Sequence, residues 1–235
     1  MNFETPLEVV QTLQATTNSA ILKYPHTVAI SDSRDVIIHV DFEKLGAEQF
    51  DDIPLLDSLS SFTSFLKLFS NDREVVIEDG LVTVKEGALK SEFITDNIAL
   101  MDEFNKDHSQ FEKTASVPTI SKFSLTKENI KQLRDASGVF KDLEEILIVG
   151  KDSNTDLKLG NKSKFNAKSN TFSVTYPETA TKEFDVAIPV TSFKQIPLDN
   201  YTFEVKYNSE RDAYRILLTS DSVGQGLEII MSVIS

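Results

Sequence analysis

The sequence predicts an α+β protein made of two similar units, each with two helices packed on antiparallel strands. Three observations carry that reading. The chain has 235 residues, enough for one large domain or two of about 100 to 120 residues. Its strands are short, alternate apolar with polar residues and are separated by turn residues, with few helix-period stretches between them. The order of elements also repeats. Thr5-Pro6-Leu7-Glu8-Val9-Val10-Gln11-Thr12-Leu13 leads into strands broken at Asp32-Ser33-Arg34-Asp35, as Leu125-Thr126-Lys127-Glu128-Asn129-Ile130-Lys131-Gln132-Leu133 leads into Glu145–Val149 and a turn at Asp152-Ser153-Asn154-Thr155. Ile53-Pro54 opens a segment that passes Leu66 and reaches Ser70-Asn71-Asp72, as Ile188-Pro189 passes Ile196 and reaches Asn208-Ser209-Glu210. The offset is 120 residues from Thr5 to Leu125 and 135 from Ile53 to Ile188. The expected domains are 1–104 and 120–235, with a connector over 105–119.

Element by element, Pro6 suits a first helical turn behind Thr5 as N-cap. Val9, Val10, Leu13, Ala20 and Ile21 supply its apolar face. Val28–Ser31 and Val36–Phe42 then alternate as strands around a polar turn. From Leu55 or Leu56 to Phe69, Leu55, Leu59, Phe62, Leu66 and Phe69 recur at steps of four and three, the stripe of a core-facing helix. Glu74–Ile77, Leu81–Lys85 and Leu89–Ile94 read as strands, the first two joined at Asp79-Gly80, where glycine accepts positive φ. Over Asp102–Pro118 the pattern dissolves into polar residues. Beyond it, Ser124 or Thr126 caps a helix that buries Ile130 and Leu133 and is expected to end at Gly138. Strands follow at Glu145–Val149, Asp156–Leu159, Thr171–Tyr176 and Lys182–Val186. A short helix over Val190–Ile196, stopped by Pro197, precedes strands at Tyr201–Tyr207, Tyr214–Thr219 and Leu227–Ile234.

Composition narrows the chemistry. With no cysteine, disulfides, thiolate metal sites and cysteine nucleophiles are excluded. No apolar run approaches the roughly 20 residues that cross a bilayer, and Met1–Ala20 lacks a basic segment before an apolar core, so the expected location is cytoplasmic. Asn161-Lys162-Ser163 and Asn200-Tyr201-Thr202 fit the glycosylation pattern but read as surface turns. No GxxxxGK, HExxH or GxSxG motif is present. His26, His39 and His108 are the only histidines, and none has a ligand-spaced neighbour. Asp51-Asp52 and Asp102-Glu103 read as solvated loop charge. The residues make no case for an enzyme or a cofactor.

The net charge is −13 and uneven. Residues 1–115 hold 9 Lys+Arg against 21 Asp+Glu, a net of −12, and residues 116–235 hold 15 against 16, a net of −1. An evenly spread acidity would exclude general nucleic-acid binding. Yet Lys127, Lys131 and Arg134 fall at i, i+4 and i+7, a basic stripe on one helix face. Lys122, Lys141, Lys194 and Lys67 could extend that surface, with Lys23 after the first helix. Such a stripe contacts phosphates and reads no sequence.

Ala15-Thr16-Thr17-Asn18-Ser19-Ala20-Ile21, Val75–Val84 around Asp79-Gly80, and Phe193–Tyr201 with Pro197, Asn200 and Tyr201 carry a family resemblance. With the doubled order of helix, strands, helix, strands, they resemble the DNA sliding clamps, the ring-shaped processivity factors of replicative polymerases, and in particular those of T-even-type bacteriophages. The resemblance implies the DNA clamp fold and a homotrimer joined head to tail, helices lining the hole around duplex DNA and sheets outside. Its DNA-facing set would be Lys127, Lys131, Arg134, Lys67, Lys141, Lys194 and Lys23. Its subunit contact would pair the edge strand carrying Leu89, Phe93 and Ile94 with the one carrying Phe172, Val174 and Tyr176. The implied partners are a DNA polymerase and a clamp loader, docking short peptides on an apolar pocket sought in the C-terminal domain or in Asp102–Pro118. No membrane is involved, and the location is the host cytoplasm if the source is viral. One departure stands out: Leu7–Asn18 contains no Lys or Arg. The competing reading is a non-enzymatic assembly protein with a duplicated α+β unit that never touches DNA.

Overall fold

The computed structural model describes residues 10–69, 73–101, 104, 107–162, 172–222 and 226–234. Thr5, Pro6, the turn at Ser70-Asn71-Asp72, the pair Asp102-Glu103, Ser163 and Thr171 lie outside the described residues. The chain parts into two compact units, Met1–Gln110 with Val223–Glu228 and Phe111–Ser222 with Ile229–Ser235. The units divide after Gln110, and residues near the C-terminus are shared between them.

Unit one opens with helix α1, described over 10–14, whose Val10 and Leu13 are buried. β1 (Ala20–Leu22) pairs with β4 (Ile53–Leu55), and β2 (His26–Ile30) with β3 (Val36–Asp41), both antiparallel. Helix α2 covers Leu59–Leu66. It is shorter than the stripe predicts, because Leu55 is taken by β4 and Asp57 turns the chain at φ 52°. The Asp96 carboxylate holds that corner, accepting from Leu56 N at 2.8 Å and Ser58 Oγ at 2.9 Å. β5 (Glu74–Glu78), β6 (Leu81–Glu86) and β7 (Leu89–Ile94) form a meander with β7 at an edge. Asp79 and Gly80 both have positive φ, as a two-residue hairpin turn requires. Val82 and Val84 of β6 point inward with Leu59, Phe62 and Leu66, each such side chain contributing about 1.5–3 kcal/mol by leaving water.

Within the stretch expected as a connector lies a helix not anticipated from its polar pattern, α3 (Ser109–Ala115). Asp107 starts it, accepting from Ser109 N and Oγ, and Phe111 anchors it at 3% exposure.

Unit two continues with β8 (Thr119–Leu125), a strand that buries Ile120, Phe123 and Leu125. Helix α4 (Lys127–Val139) passes through Gly138, which keeps helical backbone, and ends at Phe140. β9 (Glu145–Lys151), β10 (Asn154–Gly160), β11 (Phe172–Tyr176) and β12 (Phe184–Pro189) form a sheet in the order β11-β10-β9-β12. Gly150 is required there: a Cβ would meet the Phe184 ring at 2.2 Å, since the two residues are cross-strand partners. Helix α5 (Val190–Gln195) follows, then β13 (Tyr201–Asn208), β14 (Ala213–Ser220) and β15 (Leu227–Ser232), whose order with β8 is β15-β14-β13-β8. Beyond β15, Ile234 exchanges two backbone hydrogen bonds with Ala187, at 3.0 and 2.8 Å.

Candidate nucleic-acid interface

The basic helix of unit two is built from its cap outward. Thr126 is extended and its Oγ1 accepts from Asn129 N at 3.1 Å, while the Asn200 side chain accepts from Lys127 N at 2.8 Å. Those bonds satisfy donors that an α-helix leaves open at its start. Ile130, Leu133 and Ala136 then bury one face. Lys127 and Lys131 are exposed on the other, but so are Glu128, Gln132 and Asp135. The wet face is therefore mixed, with Glu128 and Asp135 among its cations.

Arg134 does not share that face. Its Nη2 donates to Phe193 O at 3.3 Å and to Ile196 O, so the guanidinium closes the C-terminal end of α5. Burial pulls its pKa below the ordinary arginine value, with Tyr201 opposing. The helical period placed Arg134 correctly around α4, but a long side chain at the margin of the stripe can reach a neighbouring helix's orphan carbonyls. α5 packs beside α4, and Lys194 is exposed in its last turn.

The other expected cations scatter. Lys122 on β8 faces Glu204 across the sheet, 3.1 Å away. Burial raises the Glu204 pKa, but hydrogen bonds and charge from Lys122 and Lys206 outweigh it and hold the carboxyl below its ordinary value. Lys206, 6% exposed, also donates to Ala115 O and Thr119 Oγ1, tying off α3. Lys141 lines a cleft of about 370 Å³ with Leu143, Glu145, Pro189, Val190 and Ile234. In unit one, Lys23 pairs with Asp52 at 3.5 Å, and Lys67 is exposed at the end of α2.

The helix pair of unit one is otherwise hydroxylic. Ser61 and Ser64 are exposed on α2 beside Lys67 and Leu68. Asn18, just past α1, starts α2: its side chain accepts from Ser60 N at 2.9 Å and its carbonyl from Leu59 N at 3.1 Å. Arg73 finishes α2, donating to Leu66 O at 3.3 Å and Phe69 O at 3.2 Å from a site only 3% exposed. These positioning roles were missed because capping partners 4 to 42 residues away leave no periodic signal.

At the expected subunit contact, β7 and β11 each lie at a sheet edge. Leu89 and Ile94 are exposed, at 62% and 81%. Phe93 instead packs inward on Phe62 and Phe65, at ring separations of 5.2 and 5.4 Å. Phe172 and Val174 are half-buried, and Tyr176 stacks on Phe123 at 4.1 Å and donates to Asn129 Oδ1. Burial pushes the Tyr176 hydroxyl up to about 12. Strand alternation turns one face inward, so β11 presents Ser173, Thr175 and its backbone at that edge.

Among the described residues no group of three His, Asp or Glu is arranged to hold a metal ion, and no helix is long and apolar enough to cross a membrane. The three histidines nevertheless converge, a juxtaposition that their spacing does not signal.

No protein-family model matches the sequence, and no curated protein matches it. Solved structures do match in shape. The A. fulgidus PCNA bound to the C-terminal region of FEN-1 superimposes with a TM-score of 0.66 at 12% identity, covering 100% of this chain and 97% of that one. The fold is that of the DNA sliding clamps. The clamp fold of Entamoeba histolytica PCNA matches with a TM-score of 0.61 at 11% identity over 98% of this chain and 95% of that one. The Helicobacter pylori beta clamp bound to a DNA ligase peptide gives 0.66 at 14%, with 98% of this chain spanning 63% of that longer clamp.

Proposed function

We propose that this chain is a sliding clamp: a ring of three copies, joined head to tail, that encircles duplex DNA and tethers a replicative polymerase. The observation that carries the proposal is the correspondence of the whole chain, both units together, with nearly the whole of a PCNA chain. The mechanism is topological. Encirclement removes ordinary dissociation, and a polymerase held on the ring gains a high effective concentration at the primer end. Lys127, Lys131 and Lys194 supply contacts to phosphate without base readout, which permits sliding. The net charge of −13 does not oppose this, because charges beyond a Debye length of about 8 Å are screened.

Ring closure would pair the edge strand β7, with Leu89 and Ile94, against the edge strand β11 of the next copy. Such heterologous contacts close when the rotation per subunit completes a circle. The cleft between Leu143, Pro189, Val190 and Ile234 offers an apolar seat for a short peptide of polymerase or loader, since neighbours of this fold are found with partner peptides bound. The finer reading is a clamp of a T-even-type phage, acting in the host cytoplasm. The acid excess of residues 1–115 favours one alternative, a ring or shell of the same fold that does not bind DNA.

Sedimentation and a processivity assay separate these. The expected mass is near three times 26.3 kDa, and a strict monomer at all concentrations defeats the ring. Replacing Lys127 and Lys131 together by Glu is expected to keep the trimer and abolish stimulation of the cognate polymerase on long templates. Full stimulation would remove the DNA-facing assignment of α4.

A further inference from the structure

Within unit two, α4 and α5 are tied together from both directions. α5 is only six residues long, too short to keep its shape unaided, and its N-cap, Pro189, supplies no side-chain hydrogen bond. Support comes from α4, where Arg134 Nη2 donates to Phe193 O at 3.3 Å and to Ile196 O. The return tie starts just past α5: Asn200 Oδ1 accepts from Lys127 N at 2.8 Å, at the start of α4. Asn200 is itself fixed, its N donating to Asp199 Oδ1 at 2.8 Å and its O accepting from Asp221 N at 2.8 Å. The end of one helix and the start of the other are thus closed by each other's segments.

These ties bear on the exposed cations. Lys194 stands between the two carbonyls that Arg134 holds, and Lys127 carries the amide that Asn200 holds. An ammonium on a loose turn spreads over many positions, so gripping a phosphate costs the ordering of the turn as well as that of the side chain. Arg134 removes the first of these costs for Lys194. Its own guanidinium is poorly disposed to reach a phosphate, being half-buried and committed to α5. Turning outward would forfeit both hydrogen bonds.

We propose that Arg134 is a positioning residue of the phosphate-contacting surface: it touches no phosphate itself and, by fixing the last turn of α5, sets Lys194 in register with Lys127 and Lys131. The inference rests on the DNA-encircling reading given above and concerns α4 and α5 alone. It divides the basic residues of unit two into those that meet DNA and one that arranges them.

Binding of a linear, fluorescently labelled duplex to the full chain, followed by anisotropy over a range of salt concentrations, tests this. Losing one phosphate contact flattens the plot of log K against log salt by about 0.9, the change expected for Lys194→Gln. Arg134→Met keeps an apolar stem without donors and is expected to flatten it by at least about half as much. The double variant is expected to match Lys194→Gln alone. A purely structural role is separable, because a smaller folded fraction lowers log K equally at every salt concentration and leaves the slope unchanged. An unchanged slope in Arg134→Met therefore overturns the inference. Further flattening in the double variant also overturns it, by making Arg134 a phosphate contact in its own right. If Lys194→Gln has no effect on the slope while Lys127→Glu with Lys131→Glu flattens it, the inference falls and the DNA reading stands. If the natural chain shows no salt-dependent binding, both fall. Should Arg134→Met fail to fold, chemical footprinting of the natural chain decides. Protection of Lys194 from acetylation by duplex, with the reactivity of Arg134 towards butanedione unchanged, supports the inference; a protected Arg134 or an unprotected Lys194 overturns it.

Discussion

The two units close the C-terminal end of their second helix in the same way but with arginines from different places. In unit one Arg73 follows the helix by a few residues and is almost wholly buried; in unit two Arg134 reaches across from the first helix and stays partly wet. Each guanidinium spans carbonyls three residues apart, Leu66 and Phe69 in one case, Phe193 and Ile196 in the other. The duplication preserves a chemical task, covering orphan carbonyls, and not the residue that performs it. It follows that a cation on a helix stripe cannot be assigned to DNA before the neighbouring helix ends are accounted for.

The strongest way to break this parallel is Arg73→Leu. It removes the arginine donor from two carbonyls, of which Leu66 O keeps Phe69 N at 3.4 Å, and a loss of about 3 kcal/mol is expected in urea unfolding. Arg134→Leu leaves a site that water can reach, so a smaller loss of about 1.5 kcal/mol is expected by the same measurement. An equal cost for the two would mean that burial does not separate them. The helix starts sharpen the comparison further. Asn18→Ala is expected to cost about 1.5 kcal/mol, because its side chain also donates to Asp57 O. Asn200→Ala is expected to cost about 0.7 kcal/mol, since Thr126 still caps α4. Lys127→Glu with Lys131→Glu is expected to change stability by less than about 0.5 kcal/mol while removing polymerase stimulation, separating contact from fold.

The units are also expected to differ in acid. In unit one, burial and then the charge of His108 hold the His26 pKa below its ordinary 6.5, so the contribution of neutral His26 is present above that value and lost as pH falls below it. In unit two, the link of Glu204 to Lys122 and Lys206 is held by a carboxyl whose pKa is depressed, so its contribution is present above the ordinary 4.5 and lost only below it. Exchange of α3 residues 111–115, tied off through Lys206, measured down the pH scale would show this later step.

Much of the clamp fold was legible because alternation, turn residues and a repeated order are local signals. Asp79-Gly80, the strands from Glu74 to Ile94 and the Thr126 cap all emerged from such patterns. The candidate interface was legible only in part. Lys127 and Lys131 are exposed as their spacing requires, but Arg134 turns to α5, Lys122 faces Glu204, and Phe93, Phe172, Val174 and Tyr176 pack inward. In each case the partner lies outside the window over which period carries information.

By itself, then, the sequence determined the duplicated α+β units, the absence of cysteine chemistry and the unequal charge of the two halves, because these are properties of composition and short-range pattern. Only the tertiary structure decided that the stretch over 109–115 is helical, which arginine closes which helix, and that three histidines spaced without pattern share one cluster. Those outcomes depend on which carbonyls, carboxylates and rings the packing of distant segments leaves within about 3 to 6 Å of each other, over which hydrogen bonds and ring contacts act.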